Sequence, residues 1–256
     1  MKYMGSKARI AKHILQIILK DRKEGQWYVE PFVGGANIID KVDGNRIGGE
    51  FNEYIARMWQ SLVCGWSPEK VDKEFYTHIK NNKSDYNPDL VGWVGVACSY
   101  SGKWFGGFAG KVSTKGGERD YQEESHKNLR KQINSLLNVK FIHSSYERLE
   151  VPSQSIIYCD PPYAGTTQYK DEFNHGDFFD WCREKSKGGH KVFISEYNAP
   201  DDFVCVWQQE IKSSLSANGK SGGSKSSIEK LFVHKSQTCT CKKGAPDCDY
   251  CQTRIL

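Results

Sequence analysis

QWYVEPFVGGANI, residues 26–38, reads as a buried strand running into a tight glycine turn and the start of a helix. NRIGGEFNEYIARMWQSL, residues 45–62, repeats the rhythm. A short strand runs to about Gly49, Glu50 stands at its end, and a helix follows with Ile55, Met58, Trp59 and Leu62 on one side. Working outward, residues 6–20 form an amphipathic helix with Ile10, Ile14, Ile17 and Ile18 at helical spacing and Ser6 as its cap. The α/β alternation returns at VKFIHSSYERL (139–149) and SIIYC (155–159), then a helix near 176–187 and HKVFISEY (190–197). Two late strands, DFVCVWQQEIK (202–212) and SIEKLFVHK (227–235), flank a Ser/Gly/Lys-rich loop. This order predicts an α/β protein with a doubly wound, mostly parallel sheet. Residues 54–139 interrupt the rhythm with glycines, aromatics and lysines and a polar helix near 121–137, so they are expected to form an inserted, mainly helical domain. The chain divides into 1–53 with 140–235, the insert 54–139, and a Cys-rich tail 236–256.

At 256 residues and 38% apolar, the chain can build a sizeable core and is not of disordered composition. A net charge of +5 suits a nucleic-acid partner, and equally a mildly basic protein of any class. No stretch approaches the roughly 20 apolar residues of a membrane span. Lys12, His13 and Gln16 interrupt the apolar part of the first 20 residues, so they do not read as a signal peptide. Cys64, Cys98, Cys159, Cys182 and Cys205 lie in apolar surroundings and are expected to be buried, reduced thiols, which points to a cytoplasmic protein.

In an open α/β sheet, ligands bind beyond the carboxyl ends of strands. Three strand ends carry special chemistry. Gly34 and Gly35 let backbone approach a ligand and lead into a helix N-terminus; the bland alternative is an ordinary strand–helix turn. The pattern is neither GxGxxG nor a P-loop. Glu50 can accept from both hydroxyls of a ribose, or simply sit solvated at a helix start. DPPY, residues 160–163, ends the strand SIIYC. Its prolines stiffen the loop and leave the carbonyls of Asp160 and Pro161 without competing local donors. Together these acceptors can hold an NH2 group, and Tyr163 offers a stacking face. A rigid surface turn is the alternative.

DPPY after an apolar strand, EPFVGG (30–35) upstream and KYMGSK (2–7) at the start, in this order, resemble the Dam-type (D12 class, alpha-group) DNA adenine-N6 methyltransferases over roughly residues 2–235. The resemblance implies a Rossmann-like catalytic domain, S-adenosylmethionine as methyl donor, and double-stranded DNA as substrate. It places Tyr3 and Lys7 near the cofactor, and Glu30, Pro31, Phe32, Gly34 and Gly35 in the cofactor loop. Glu50 would hold the ribose, with Phe51 beside the adenine. The family's acid–aromatic pair before DPPY corresponds here to Ser145–Tyr146, where a hydroxyl accepts more weakly than a carboxylate. Asp160, Pro161, Pro162 and Tyr163 would be catalytic, with Asp160 also beside the cofactor. The host would be a bacterium or a phage-infected cell, and a cognate restriction endonuclease is a conceivable partner. Cytosine-N4 methylation, which uses the same amine chemistry, and a binding module that has lost catalysis are the alternatives.

The insert would then recognise the target. Within 101–140 there are eight Lys/Arg against four Asp/Glu. Lys103, Trp104, Lys111, Arg119, Arg130 and Lys131 are the candidate DNA contacts, although Trp104, Phe105 and Phe108 would equally fill a small core. Cys239, Cys241, Cys248 and Cys251 are spaced C-x-C-x6-C-x2-C. Four such thiolates can hold a structural zinc, or form a tail of free thiols.

Overall fold

Three strands, two of them buried along nearly their whole length, organise the first 152 residues. They are β1 (Tyr28–Glu30), β2 (Arg46–Glu50) and β5 (Val139–His143), in the order β5-β2-β1 and all parallel. The computed structural model describes residues 1–114, 116–163, 173–212 and 226–238. The chain forms two compact units, Met1–Pro152 and Ser153–Leu256.

In the first unit, helix α1 (Ala11–Ile18) buries Ile14 and Ile18 as the spacing predicts, and Leu15 besides, while Ile17 is only half-buried; the helix also starts later than expected. Ser6 does not cap it. Ser6 Oγ accepts from the Ala8 N–H at 3.3 Å, inside a run of turns that occupies residues 3–10. The helix expected after the glycine turn is also missing, and a single 3-10 turn (Ile39–Lys41) stands in its place. Gly34 (φ +45°) and Ala36 (φ +52°) are both left-handed, which breaks any helical start there.

Helix α2 (Glu53–Val63) follows β2. Asn52 Oδ1 caps it by accepting from Tyr54 N at 3.1 Å and Ile55 N at 3.4 Å. Ile55, Met58, Trp59 and Leu62 face the core, as expected, and Trp59 stacks on Phe141 of β5 at 5.4 Å. Three more helices follow: α3 (Lys73–Asn81), α4 (Pro88–Ala97) and α5 (Tyr121–Gln132). Between α4 and α5 stands an exposed antiparallel hairpin of β3 (Lys111–Thr114) and β4 (Gly117–Asp120). The segment 54–139 is therefore mainly helical. Helix α4 is buried from Val91 to Ala97, as a helix apolar on all sides must be. At Gly92 it touches α2 so closely that a Cβ would lie 2.1 Å from the Tyr54 carbonyl oxygen.

The second unit orders its strands β6-β7-β9-β8. Strands β6 (Ile156–Cys159) and β7 (Lys191–Glu196) are parallel, joined through α6 (His175–Lys187), which Asn174 caps. Strand β9 (Ser226–His234) is antiparallel to both β7 and β8 (Phe203–Lys212). The parallel rule thus stops at β7. Antiparallel neighbours need no helical crossover, and the sequence between β8 and β9 has no helical periodicity. Parallel strands with helical crossovers give the mixed α/β, Rossmann-like architecture expected.

The Gly92 contact yields a direct test. Gly92→Ala must push α4 off the α2 backbone, with an expected loss of about 1–3 kcal/mol. Urea unfolding of the variant beside the wild type measures it.

Candidate active site

The glycine loop after β1 is held from several sides. Gly34 N donates to Glu50 Oε2 at 3.1 Å, and Val33 N to the Gly49 carbonyl at 2.9 Å. Its carbonyls are taken in turn. Trp59 Nε1 donates to Gly34 O at 2.7 Å, and Gln132 Nε2 to Gly35 O at 3.2 Å and Ala36 O at 2.8 Å. The packing around the loop also requires the two glycines. A Cβ on Gly34 would meet the Tyr3 ring at 2.7 Å, and one on Gly35 would meet Tyr3 Cβ at 2.5 Å. The space they leave is filled by Tyr3.

Glu50 is half-buried at the end of β2. Oε1 accepts from Asn52 N at 2.9 Å while Oε2 binds Gly34. Burial pushes its carboxyl pKa up, and the N–H groups of Asn52, Gly34 and Phe51 oppose that rise. A carboxylate has about four acceptor sites, so capacity remains for further donors. Beside it Phe51 is 74% exposed, an uncovered aromatic residue next to a carboxylate with acceptor capacity left. Glu30 is buried and accepts from Tyr28 Oη at 2.9 Å. Lys7 is buried, its Nζ donating to the Gly5 carbonyl at 3.2 Å. Pro31 is buried, and Phe32 packs on buried Tyr146 with ring centres 5.6 Å apart. Ser145 is half-buried beside them, and its carbonyl accepts from Leu149 N at 3.0 Å.

In the second unit, Asp160 ends the buried strand β6 and is half-buried. Pro161 is buried, and its carbonyl accepts no backbone hydrogen bond among the described residues. Pro162 and Tyr163 are half-buried. The Tyr163 hydroxyl donates to Glu229 Oε2 at 2.8 Å, and its ring meets Tyr197 edge-to-face at 4.6 Å. Burial, then the nearby Asp160 and Glu229 carboxylates, push the phenol well above its ordinary pKa, so it stays protonated. No sequence signal marked Glu229, which the strand order brings to Tyr163 across a wide separation in the chain.

A family model for the D12 class N6 adenine-specific DNA methyltransferases matches residues 3–216. The chain belongs to this family. No curated protein matches it. The D12-class methyltransferase is thus an enzyme that moves a methyl group from S-adenosylmethionine to adenine N6 in double-stranded DNA. Neither cytosine-N4 methylation nor a binding-only role draws support from the match. The residues present fit the cofactor. Glu50 retains acceptor capacity suited to a ribose diol, and Phe51 exposes a ring suited to an adenine.

Within residues 54–139 of the methyltransferase, the residues expected to contact DNA stand in different surroundings. Trp104 is half-buried, stacked on Tyr54 at 5.9 Å and pressed against Gly95, where a Cβ would lie 2.4 Å from its ring. Phe105 is buried, and Phe108 packs edge-on to Tyr76. These aromatics anchor the loop between α4 and β3 to the helices. Tyr100, which the sequence reading passed over, is 59% exposed on that loop. The adjoining Ser101 (φ +56°) and the later Phe105 (φ +43°) are left-handed. Arg119 is clamped by Glu124 and lies over the Tyr121 ring. Arg130 pairs with Glu123 at 3.1 Å and Lys111 with Glu118 at 3.7 Å. Lys103 and Lys131 are exposed and make no ion pair among the described residues.

Cys239, Cys241, Cys248 and Cys251 lie outside the described residues. Among the described residues no group of three or more His, Cys, Asp or Glu could hold a metal ion, and no helix is long and apolar enough to cross a membrane. Cys98, Cys159 and Cys182 are buried as expected, but Cys205 on β8 is only half-buried and Cys64, at the C-terminal cap of α2, is exposed.

Gln132→Ala removes the donor to two loop carbonyls. It should cost about 1–3 kcal/mol in stability and weaken S-adenosylmethionine binding. Thermal unfolding and titration calorimetry on one preparation read both effects.

Proposed function

We propose that this methyltransferase is of the Dam type with the alpha-group order, its cofactor elements preceding DPPY with the recognition region between them. The observation that carries this reading is that the glycine loop, Glu50 and DPPY each stand at the carboxyl end of a strand, β1, β2 and β6 respectively. In this reading Tyr3, Lys7, Glu30–Gly35, Glu50, Phe51, Ser145 and Tyr146 hold the cofactor. Glu50 takes the ribose hydroxyls, and Phe51 lies on the adenine. The cofactor supplies a methyl group on a sulfonium.

The exocyclic amine of adenine is a poor nucleophile, because its lone pair is delocalised into the ring. Asp160 Oδ and the Pro161 carbonyl accept its two N–H bonds and draw the nitrogen toward tetrahedral geometry. That hold frees the lone pair for the new N–C bond, with the S–C bond of the sulfonium breaking to leave a neutral thioether. Asp160 acts by orientation rather than as a strong base. The amine becomes acidic only as it is methylated, and water takes its proton. The target atom lies inside the duplex, so the base is flipped out, and Tyr163 stacks on it.

Residues 54–139 read the target in this scheme. Lys103 and Lys131 have charge to spare for phosphates, and exposed Tyr100 adds an aromatic contact. Arg119, Arg130 and Lys111 must give up a carboxylate partner to do the same. The exposed hairpin β3–β4 is a two-stranded ribbon, a shape that the major groove admits.

Asp160→Ala should keep its calorimetric affinity for S-adenosylmethionine yet lose methyl transfer to genomic DNA by roughly three orders of magnitude. Transfer at a near-normal rate would sink the clamp. Sequencing the DNA modified by the wild type identifies the base and the site.

The tail thiols belong to the same proposal as a tetrathiolate zinc site. Elemental analysis should find one zinc per chain, lost when residues 236–256 are trimmed. A zinc-free full-length protein would leave only free thiols.

A further inference from the structure

We propose that Glu229 is a positioning residue for methyl transfer, its carboxylate fixing the ring of Tyr163 through the phenolic hydroxyl. The inference rests on reading Asp160–Tyr163 as the active site. It also goes beyond the family, because Glu229 lies outside the matched residues 3–216.

The two ends of the Tyr163 side chain are constrained differently. Its Cα follows two prolines that restrict the backbone, but a tyrosine ring still turns about two side-chain torsions. A stacking face is useful only if its plane is set before the base arrives. Two contacts set it. The hydroxyl donates to Glu229 Oε2 at 2.8 Å, and Tyr197 meets the ring edge-to-face at 4.6 Å, with planes 81° apart. Glu229 is well placed as an anchor. It sits within β9, where the ladder pairs it with Gln209 of β8, and its neighbour Lys230 is paired with Gln208 of β8 and Glu196 of β7. Glu229 itself is paired on one side only, next to a residue paired on both, and that limits how far its backbone can move. Burial pushes the Tyr163 phenol well above its ordinary pKa, so it keeps the proton that it donates to Glu229.

This explains a feature the parallel half of the fold does not need. An antiparallel β9 brings a residue from far along the chain to the loop after β6. The bond is a charge-assisted one, strong enough to hold a ring and weak enough to lose without unfolding the sheet.

The test uses the full chain, with initial methylation rates on genomic DNA at saturating S-adenosylmethionine and DNA. Glu229→Ala and Tyr163→Phe remove opposite ends of one bond and should each lower kcat about tenfold. The double variant should also lose about tenfold rather than a hundredfold. Calorimetric affinity for S-adenosylmethionine should stay within twofold in all three. Glu229→Gln keeps an acceptor and should restore most of kcat.

A wild-type kcat in Glu229→Ala, additive losses in the double variant, or a Glu229→Gln as impaired as Glu229→Ala would each overturn the proposal. If Glu229→Ala fails to fold, Tyr163→Phe alone decides, since full activity there removes any role for the bond. Asp160→Ala in the same assay separates the two levels. If it methylates normally, the active-site reading fails; if it is inactive while Glu229→Ala is normal, only Glu229 loses its role.

Discussion

Three consecutive peptide carbonyls, those of Gly34, Gly35 and Ala36, are held by two buried side chains, Trp59 and Gln132. The loop they shape has no helix behind it to organise its backbone, only a 3-10 turn. Side chains therefore do what a helix N-terminus would do in a standard dinucleotide fold. Tyr3 fills the space above the glycines, and Glu50 takes the amide of Gly34 from below. A buried carbonyl without a donor is costly, so each partner is needed for the loop to hold its shape.

The second unit meets a different constraint. Its DPPY loop is stiff in backbone because of two prolines, yet its aromatic ring needs tertiary support. That support comes from Tyr197, just after β7, and Glu229 on β9. Sequence-local rigidity and long-range anchoring divide the work. The first is encoded in two adjacent residues, and the second needs the antiparallel return of the chain.

Much of this was legible in the sequence because periodicity reports burial directly. The α2 face of Ile55, Met58, Trp59 and Leu62 follows from spacing alone, and the acid at the end of β2 follows from the strand pattern. What escaped depended on distant partners. Ser6 looks like a cap in sequence, but turns at residues 3–10 claim it. That a Cβ at Gly34 or Gly35 would run into Tyr3 depends on a residue about thirty positions away, which the glycine pattern alone does not name. Among the aromatics of the 99–108 stretch, composition cannot say which face inward. Packing against Gly95 and Tyr76 takes Trp104, Phe105 and Phe108, and leaves Tyr100 outside. Gln132 and Glu229 carry no local signature, since each matters only for what it reaches.

The hold of Gln132 and Trp59 on the glycine loop bears on modularity. Both residues belong to helices of the 54–139 segment, which interrupts the α/β rhythm in the sequence. A recognition cassette transplanted from another enzyme would bring its own α2 and α5, and would remove the donors that shape the loop after β1. On the proposed reading of 54–139 as the recognition region, sequence preference would be altered by resurfacing the exposed hairpin and the Tyr100–Lys103 turn, because the inward faces of α2 and α5 are tied to the loop after β1.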